Sequence, residues 1–138
     1  MDSEIEALIG LPLRSVEKKD WTWFFSFADD ANILTESKWR LISDGRVSIT
    51  SEDHEHQFGL PTPVDATERV MSRTSGIAVT NASIHTTTGD LSVHFGEDIQ
   101  LQFLQFSLGY DAWRAHLRGA LIVCNGGGDI SCFPPAQP

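Results

Sequence analysis

Hydrophobic and polar residues alternate with a period of two along much of this chain, which is the pattern of β-strands with one buried face. The clearest example is the Trp-x-Trp-x-Phe-x-Phe segment that begins at Trp21 and ends at Phe27. The alternation resumes from Ile33 to Leu41, and the hairpin signal Asp44-Gly45 precedes a return strand through Ile49. The first third of the chain therefore predicts a meander of about four antiparallel strands.

Two helices are predicted outside these strands. A short one precedes Gly10 at the N-terminus, because glycine can close a helix in the left-handed conformation. A longer one covers about residues 63–74, since Thr62 supplies a capping hydroxyl, Pro63 suits a first helical position and Gly76 follows its end.

The second half of the chain repeats the order of features in the first half. Three blocks correspond: Gly10-Leu11-x-Leu13 with Gly76-Ile77-x-Val79, Trp23-x-Phe25-x-Phe27 with Leu91-x-Val93-x-Phe95, and Trp39-Arg40 before Gly45 with Trp113-Arg114 before Gly119. The offset between matched positions grows from 66 to 68 to 74, and it grows only at candidate loops. The pattern indicates two copies of one strand unit.

These patterns predict a single domain, 1–138, of the α+β class that is mostly β. Two tandem antiparallel β-meander units with pseudo-twofold symmetry, about 10–53 and 76–128, are joined by the helix-containing segment 54–75. We expect them to pack as a sandwich or curled sheet, because each unit alone would leave an aromatic face in water. The helix should cross between the units, with Trp39 and Trp113 in equivalent places at the two ends of a shared core.

Acidic residues outnumber basic ones by 19 to 10, which gives a formal net charge of -9. This charge repels phosphate backbones and anionic lipid, so neither nucleic acid nor a membrane is predicted as a partner. It favours a basic protein partner, although solubility alone is the simpler explanation. The N-terminus lacks a secretory signal and no apolar run reaches the roughly 20 residues of a membrane span, so a cytoplasmic location is expected.

The sequence contains neither a Gly-x-Ser-x-Gly motif nor the Walker-A pattern. We therefore predict no catalytic residue and no cofactor. Cys124 and Cys132 flank the glycine-rich run 125–129, which predicts a flexible hairpin turn that would place them opposite each other. A reducing compartment favours two free thiols over a disulfide.

His54 and His56 are the weak candidates for metal binding. On a strand, two histidines at this spacing would project to the same face and could share a divalent ion. No third ligand at a zinc-site spacing accompanies them, so an exposed polar loop is the preferred interpretation and no metal site is predicted.

The repeated Trp-Arg pairs are the main candidates for ligand binding. Arg40 and Arg114 each follow a tryptophan that is expected to be buried, and either could pair with acids across the pseudo-axis or offer a fork of donors to an anionic group. A pocket at the junction of the two units would be lined by Trp39, Arg40, Trp113 and Arg114. Tyr110 is a further ligand-binding candidate.

The segment 107–113, which contains Gly109-Tyr110-Asp111-x-Trp113, and the strand start Gly89-Asp90-Leu91-x-Val93-x-Phe95 carry a resemblance. Together with the doubled layout they resemble small bacterial proteins known as domains of unknown function, in which a Gly-Tyr-Glu-x-Trp element is common. Asp111 stands here in place of the glutamate. Some such families are similar to immunity or accessory proteins of toxin systems.

Two function classes follow for the chain. The first is a non-enzymatic binding protein, a candidate immunity-type inhibitor whose acidic surface engages a basic protein. The alternative is a small-ligand binding protein or an unrecognised enzyme with a pocket at the junction of the repeats. A homodimer formed through an exposed strand edge is a third possibility.

Overall fold

The computed structural model describes residues 2–136, and in this part of the chain two α-helices and eleven strands are formed. They follow in the order α1 Asp2–Ile5, β1 Ser15–Lys19, β2 Thr22–Ala28, β3 Ala31–Thr35, β4 Lys38–Ser43, β5 Arg46–Thr50, α2 Ala66–Thr74, β6 Val79–Ile84, β7 Leu91–Phe95, β8 Ile99–Leu104, β9 Trp113–Leu117, β10 Ala120–Cys124 and β11 Ile130–Phe133. Three 3₁₀ turns, Glu6–Leu8, Ser51–Asp53 and Gly126–Gly128, complete the set. The prediction of a mostly β, α+β chain is confirmed.

The strands form two antiparallel sheets that pack against each other. One has six strands in the order β1-β2-β3-β9-β10-β11, and the other has five in the order β5-β4-β8-β7-β6. The chain changes sheet between β3 and β4 and again between β8 and β9. The extended run predicted from Ile33 to Leu41 is therefore two strands in different sheets, and each half of the chain contributes to both sheets.

The two sheets have the same strand order when the strands β1–β5 of the first half are matched in turn with the strands β6–β10 of the second half. The order β1-β2-β3-β9-β10 in one sheet matches β6-β7-β8-β4-β5 in the other, as a pseudo-twofold arrangement requires. Pro12 and Ala78, at equivalent positions, form an antiparallel bridge with each other. Phe27 and Phe95, also equivalent, stack with ring centres 6.3 Å apart.

The helices occupy the open sides of the sandwich. The first, α1, contacts β6 and β9, while α2 contacts β1 and β5. This placement corrects the expectation that the helix crosses between two separate units. Instead, α2 lies against β1 and β5 and precedes the second set of strands, as α1 precedes the first.

The second helix begins three residues later than predicted. Val64 exchanges backbone hydrogen bonds with Glu55 and His56, at 2.8 and 2.7 Å, and this keeps Pro63 and Val64 outside the helix. Asp65 is the N-cap instead of Thr62, and its carboxylate accepts from the backbone N–H groups of Thr67 and Glu68. The hydrogen bond from the Thr67 hydroxyl is the first cause of the lowered pKa of Asp65.

The core lies between the sheets and contains both tryptophans of the repeated pairs. Trp39 and Trp113 are fully buried. Trp39 meets Trp23 and Phe25 edge-on, with ring centres 5.0 and 5.3 Å apart. Trp21, which the alternation placed on the same face as Trp23, instead occupies the β1–β2 turn because Lys19 pairs with Thr22, and its side chain is 80% exposed.

Candidate functional site

The two crossovers between the sheets lie side by side at one end of the sandwich. The hydroxyl of Thr35 donates to the Ala112 carbonyl at 2.6 Å, and that of Ser37 donates to the Leu104 carbonyl at 2.8 Å. The first crossover, between β3 and β4, consists of Glu36 and Ser37 alone, whereas the second, between β8 and β9, runs from 105 to 112. Since two residues suffice to change sheets, the additional six in this crossover loop (residues 105–112) are not required by the topology.

The crossover loop exposes three large apolar side chains at alternate positions. Phe106 is 64% exposed, Leu108 92% and Tyr110 81%. Trp21, at the tip of the neighbouring β1–β2 turn, faces the same depression. A concentration of exposed apolar residues at one place on a protein surface is typical of an interaction site.

Gln105 connects the crossover loop to itself and to its neighbours through hydrogen bonds. Its backbone N–H donates to the Asp90 carboxylate at 2.8 Å. Its side-chain amide donates to the carbonyls of Tyr110 and Asn125, at 3.0 and 2.7 Å, while its side-chain oxygen accepts from the Ser107 N–H at 2.7 Å. The loop is thus braced at both ends, and little conformational entropy remains to be lost when a partner binds.

The turn Gly126–Gly128 packs against the crossover loop. Gly127 N–H donates to the Ser107 carbonyl at 2.8 Å. A Cβ at Gly126 would lie 2.5 Å from the Leu108 carbonyl oxygen, and one at Gly128 would collide with the Thr88 carbonyl. The run does form the predicted turn, but its glycines allow three loops to pack closely against one another.

The crossover loop, the β1–β2 turn and the first crossover enclose a groove of about 510 Å³, the crossover groove, lined by the rings of Trp21, Trp23, Phe106 and Tyr110. This volume is within the usual range of binding pockets. A smaller depression of about 310 Å³ lies on the outer face of the six-stranded sheet beside Asp111 and Arg114. It has fewer exposed rings, so the crossover groove is the better candidate site.

Charged side chains line the walls of the crossover groove. The Lys18 ammonium lies 5.5 Å from the Trp23 ring centre, and that of Lys38 lies 5.0 Å from the Phe106 ring centre. Lys38 also pairs with Glu52 at 3.6 Å. Glu36 accepts a hydrogen bond from the Thr22 hydroxyl at 3.1 Å.

The residues predicted to line a junction pocket do not converge. Trp39 and Trp113 are in the core, so the arginine that follows each points to the outer face of its own sheet, on opposite sides of the sandwich. Arg40 donates to Gln102 at 2.6 Å, and Arg114 pairs with Asp111 at 3.3 Å. The predicted pairing of arginines with acids across the axis is wrong, and of these candidates only Tyr110 lines the crossover groove.

The two histidines considered for metal binding have other contacts. His54 follows a 3₁₀ turn instead of lying on a strand, and its Nδ1 accepts from the Ala66 N–H at 3.0 Å, at the start of α2. Its ring packs edge-on against Trp23, 5.1 Å away. The exposed His56 ring stacks on Phe58. Between residues 2 and 136 no three His, Cys, Asp or Glu side chains form a group suited to a metal ion.

The cysteines are both free, and Cys124 is buried. Cys124 pairs with Ile130 and Cys132 with Ile122 in the β10–β11 ladder, so the predicted placement of the two cysteines opposite each other is wrong. Burial is the main cause that raises the pKa of the Cys124 thiol to about 11. The protonated, enclosed thiol is unsuited to act as a nucleophile.

We expect Cys132 to react with a disulfide reagent in the folded protein well before Cys124, because only Cys132 is partly exposed and the pKa of Cys124 is raised. Thiol release at pH 8 should show one fast equivalent and a second that appears on unfolding. The Cys132→Ser variant should lose the fast phase alone. Two equally fast thiols would contradict the burial of Cys124.

In the part of the chain from 2 to 136, no helix combines the length and hydrophobicity needed to span a membrane. Comparison of the sequence and the fold with protein-family models, curated proteins and solved structures finds no match.

Proposed function

We propose that this protein is a non-enzymatic binding protein that holds a basic protein partner at the crossover loop and crossover groove, in the manner of an immunity-type inhibitor. The observation that carries the proposal is the unequal length of two equivalent crossovers. The longer one contains six residues that the sheet change does not need, and these include Phe106, Leu108 and Tyr110, which are all exposed.

The chemistry of this surface supports recognition of a protein. Tyrosine and tryptophan are over-represented among the residues that dominate binding energy at interfaces, and both types are present here as Tyr110 and Trp21. Charged residues around them, including Glu36, Glu52 and Lys38, provide a polar rim. Because Gln105 braces the loop, its apolar side chains are already presented for contact.

The charge of the chain supports a basic partner. A net charge of -9 accelerates encounter with a positively charged protein and disfavours acidic ones. The segment 107–113 and the doubled layout resemble small bacterial domains of unknown function, and the similarity of some such families to immunity proteins agrees with such a partner. An inhibitor of a basic toxin, such as a nuclease, would need no catalytic group of its own.

The test is capture from a lysate of the source cells with matched variants. The loop variant carries Leu108→Ser and Tyr110→Ser, and the control carries Val47→Ser and Phe133→Ser, two exposed apolar positions outside the groove. We expect one basic protein to be retained by the wild type and the control. With that protein purified, the loop variant should bind at least about tenfold more weakly, as expected when interface anchors are truncated.

Thermal unfolding of each variant establishes that both are folded, which is expected because the changed side chains are exposed. The affinity of the wild type should fall as salt is raised. An acidic partner, equal affinity in the loop variant and the control, or no partner even at low salt would each overturn the proposal.

A small ligand in the crossover groove is the second candidate, favoured by the four rings that line a volume of about 510 Å³. Mass spectrometry of extracts from the denatured purified protein tests it. A small molecule that co-purifies with the wild type and is lost in Trp21→Ala would support this second function. Light scattering distinguishes both of these functions from homodimer formation.

A further inference from the structure

We infer that the crossover groove receives an arginine or lysine side chain of the partner, which lies against the rings of Trp21 and Tyr110 and near the carboxylate of Glu36. The inference rests on the proposed function, because it specifies which chemical group of a basic partner is recognised.

The groove already contains two contacts of this kind. The ammonium groups of Lys18 and Lys38 lie 5.5 and 5.0 Å from the ring centres of Trp23 and Phe106. Both distances are within the roughly 6 Å over which a cation is attracted to an aromatic face. Two of the four rings in this groove therefore already contact cations of the chain itself.

The two remaining rings are open to an external cation. Trp21 is 80% exposed and Tyr110 is 81% exposed, and between residues 2 and 136 no lysine or arginine lies over either ring. Tyr110 is fixed by the hydrogen bonds that its backbone makes with Gln105 and Ser107. A cation bound at these rings would not have to order the loop first.

The acidic groups of the groove differ in how far they are already paired. Glu52 is paired with Lys38 at 3.6 Å and Asp111 with Arg114 at 3.3 Å. Glu36 accepts only from the hydroxyl of Thr22 among its contacts within the described chain, so its charge is not neutralised there. An incoming guanidinium or ammonium group would supply the opposite charge that Glu36 lacks.

Titration of the isotope-labelled full chain with N-acetyl-arginine amide, followed by nuclear magnetic resonance, tests the inference. The control probe is N-acetyl-citrulline amide, a neutral isostere of the arginine probe, at the same ionic strength. We expect the arginine probe to shift the Trp21 indole signal and the backbone signals of Ser107 and Tyr110, and the citrulline probe to leave them in place.

Variants assign the interaction to particular groups. Glu36→Gln should weaken binding of the arginine probe by about two- to fivefold, as expected for an exposed ion pair. Trp21→Ala should weaken it by a similar factor, as expected for an exposed cation–π contact. Glu97→Gln removes an exposed acid from the β7–β8 turn, away from the groove, and should change nothing.

Equal shifts with both probes, equal affinity in Glu36→Gln and Glu97→Gln, or no shift at the groove would each overturn the inference. None of these results would by itself overturn the proposed function, since loss of partner binding in the Leu108→Ser/Tyr110→Ser variant is measured without the probes. Conversely, a cation site without a loop-dependent partner would contradict the proposed function, while the cation site itself would stand.

Discussion

Replacement of Gly128 by alanine is expected to lower the free energy of unfolding by roughly 4 kcal/mol, which combines backbone strain with overpacking. Gly128 has a φ of +105°, which side chains with a Cβ rarely adopt, and its Cβ would collide with the carbonyl of Thr88. Urea unfolding at neutral pH measures the loss. The position of the Cβ is fixed by the backbone of residue 128 and the atoms it meets are backbone atoms of Thr88, so a rotamer change cannot relieve the collision.

Gly45→Ala is the matched control for this prediction. Gly45 also has a positive φ, +76°, but no atom lies within 4 Å of its added Cβ. The free energy of unfolding of Gly45→Ala should fall only by the backbone cost of about 1–2 kcal/mol. Similar losses in the two variants would show that the contact between the loops at Gly128 is loose.

The close packing at the glycine turn connects the core to the candidate binding surface. Gly128 contacts the segment 88–89, and the Gly89 carbonyl accepts a hydrogen bond from the buried indole of Trp113. Gly126 contacts the backbone of the crossover loop at Leu108. A disturbance of the turn is therefore expected to affect the conformation of the loop as well as stability.

Most strands could be predicted from the sequence because burial of one sheet face imposes a period of two. The correspondence of the two halves was also visible, since Trp39 and Trp113, and the hairpin glycines that follow them, recur in order. What the pattern could not reveal is the change of sheet at Glu36 and Ser37. Apolar residues point to the same core from either sheet, so alternation continues across the crossover without a break.

Trp21 shows a second limit of the periodic pattern. Its spacing from Trp23 is that of neighbours on one face, but the pairing of Lys19 with Thr22 makes it a turn residue. Register is set by the partner strand, and β1 was not predicted because its residues are mostly charged. The sequence pattern thus placed Trp21 in the core, whereas its ring is exposed at the candidate site.

The candidate site could be anticipated only in part. Tyr110 was among the proposed ligand-binding residues, whereas Phe106 and Leu108 were not. The available signal was the increase of the repeat offset from 68 to 74, which locates an insertion before Trp113. That this insertion exposes its apolar side chains depends on the hydrogen bonds of Gln105, which link residues distant in sequence.

Trp113→Phe is expected to destabilise the fold by about 3 kcal/mol, roughly half from the lost ring volume and half from the lost hydrogen bond. The indole N–H of Trp113 donates to the Gly89 carbonyl at 2.9 Å, and phenylalanine would leave that carbonyl without its buried partner. Unfolding in guanidinium chloride measures this loss of stability. The segment 85–90, which supplies this carbonyl, should also show faster hydrogen exchange in the variant.

Trp39→Phe makes the same chemical change at the equivalent position and should cost only about 1.5 kcal/mol. The buried indole nitrogen of Trp39 has no hydrogen-bond partner within the described chain, because the equivalent β1–β2 turn consists of Asp20 and Trp21 and is too short to fold over it. Removing an unpaired donor leaves no new unsatisfied group. Equal losses at both positions would mean that the hydrogen bond to Gly89 adds nothing to stability, and that the core does not hold the glycine turn in place.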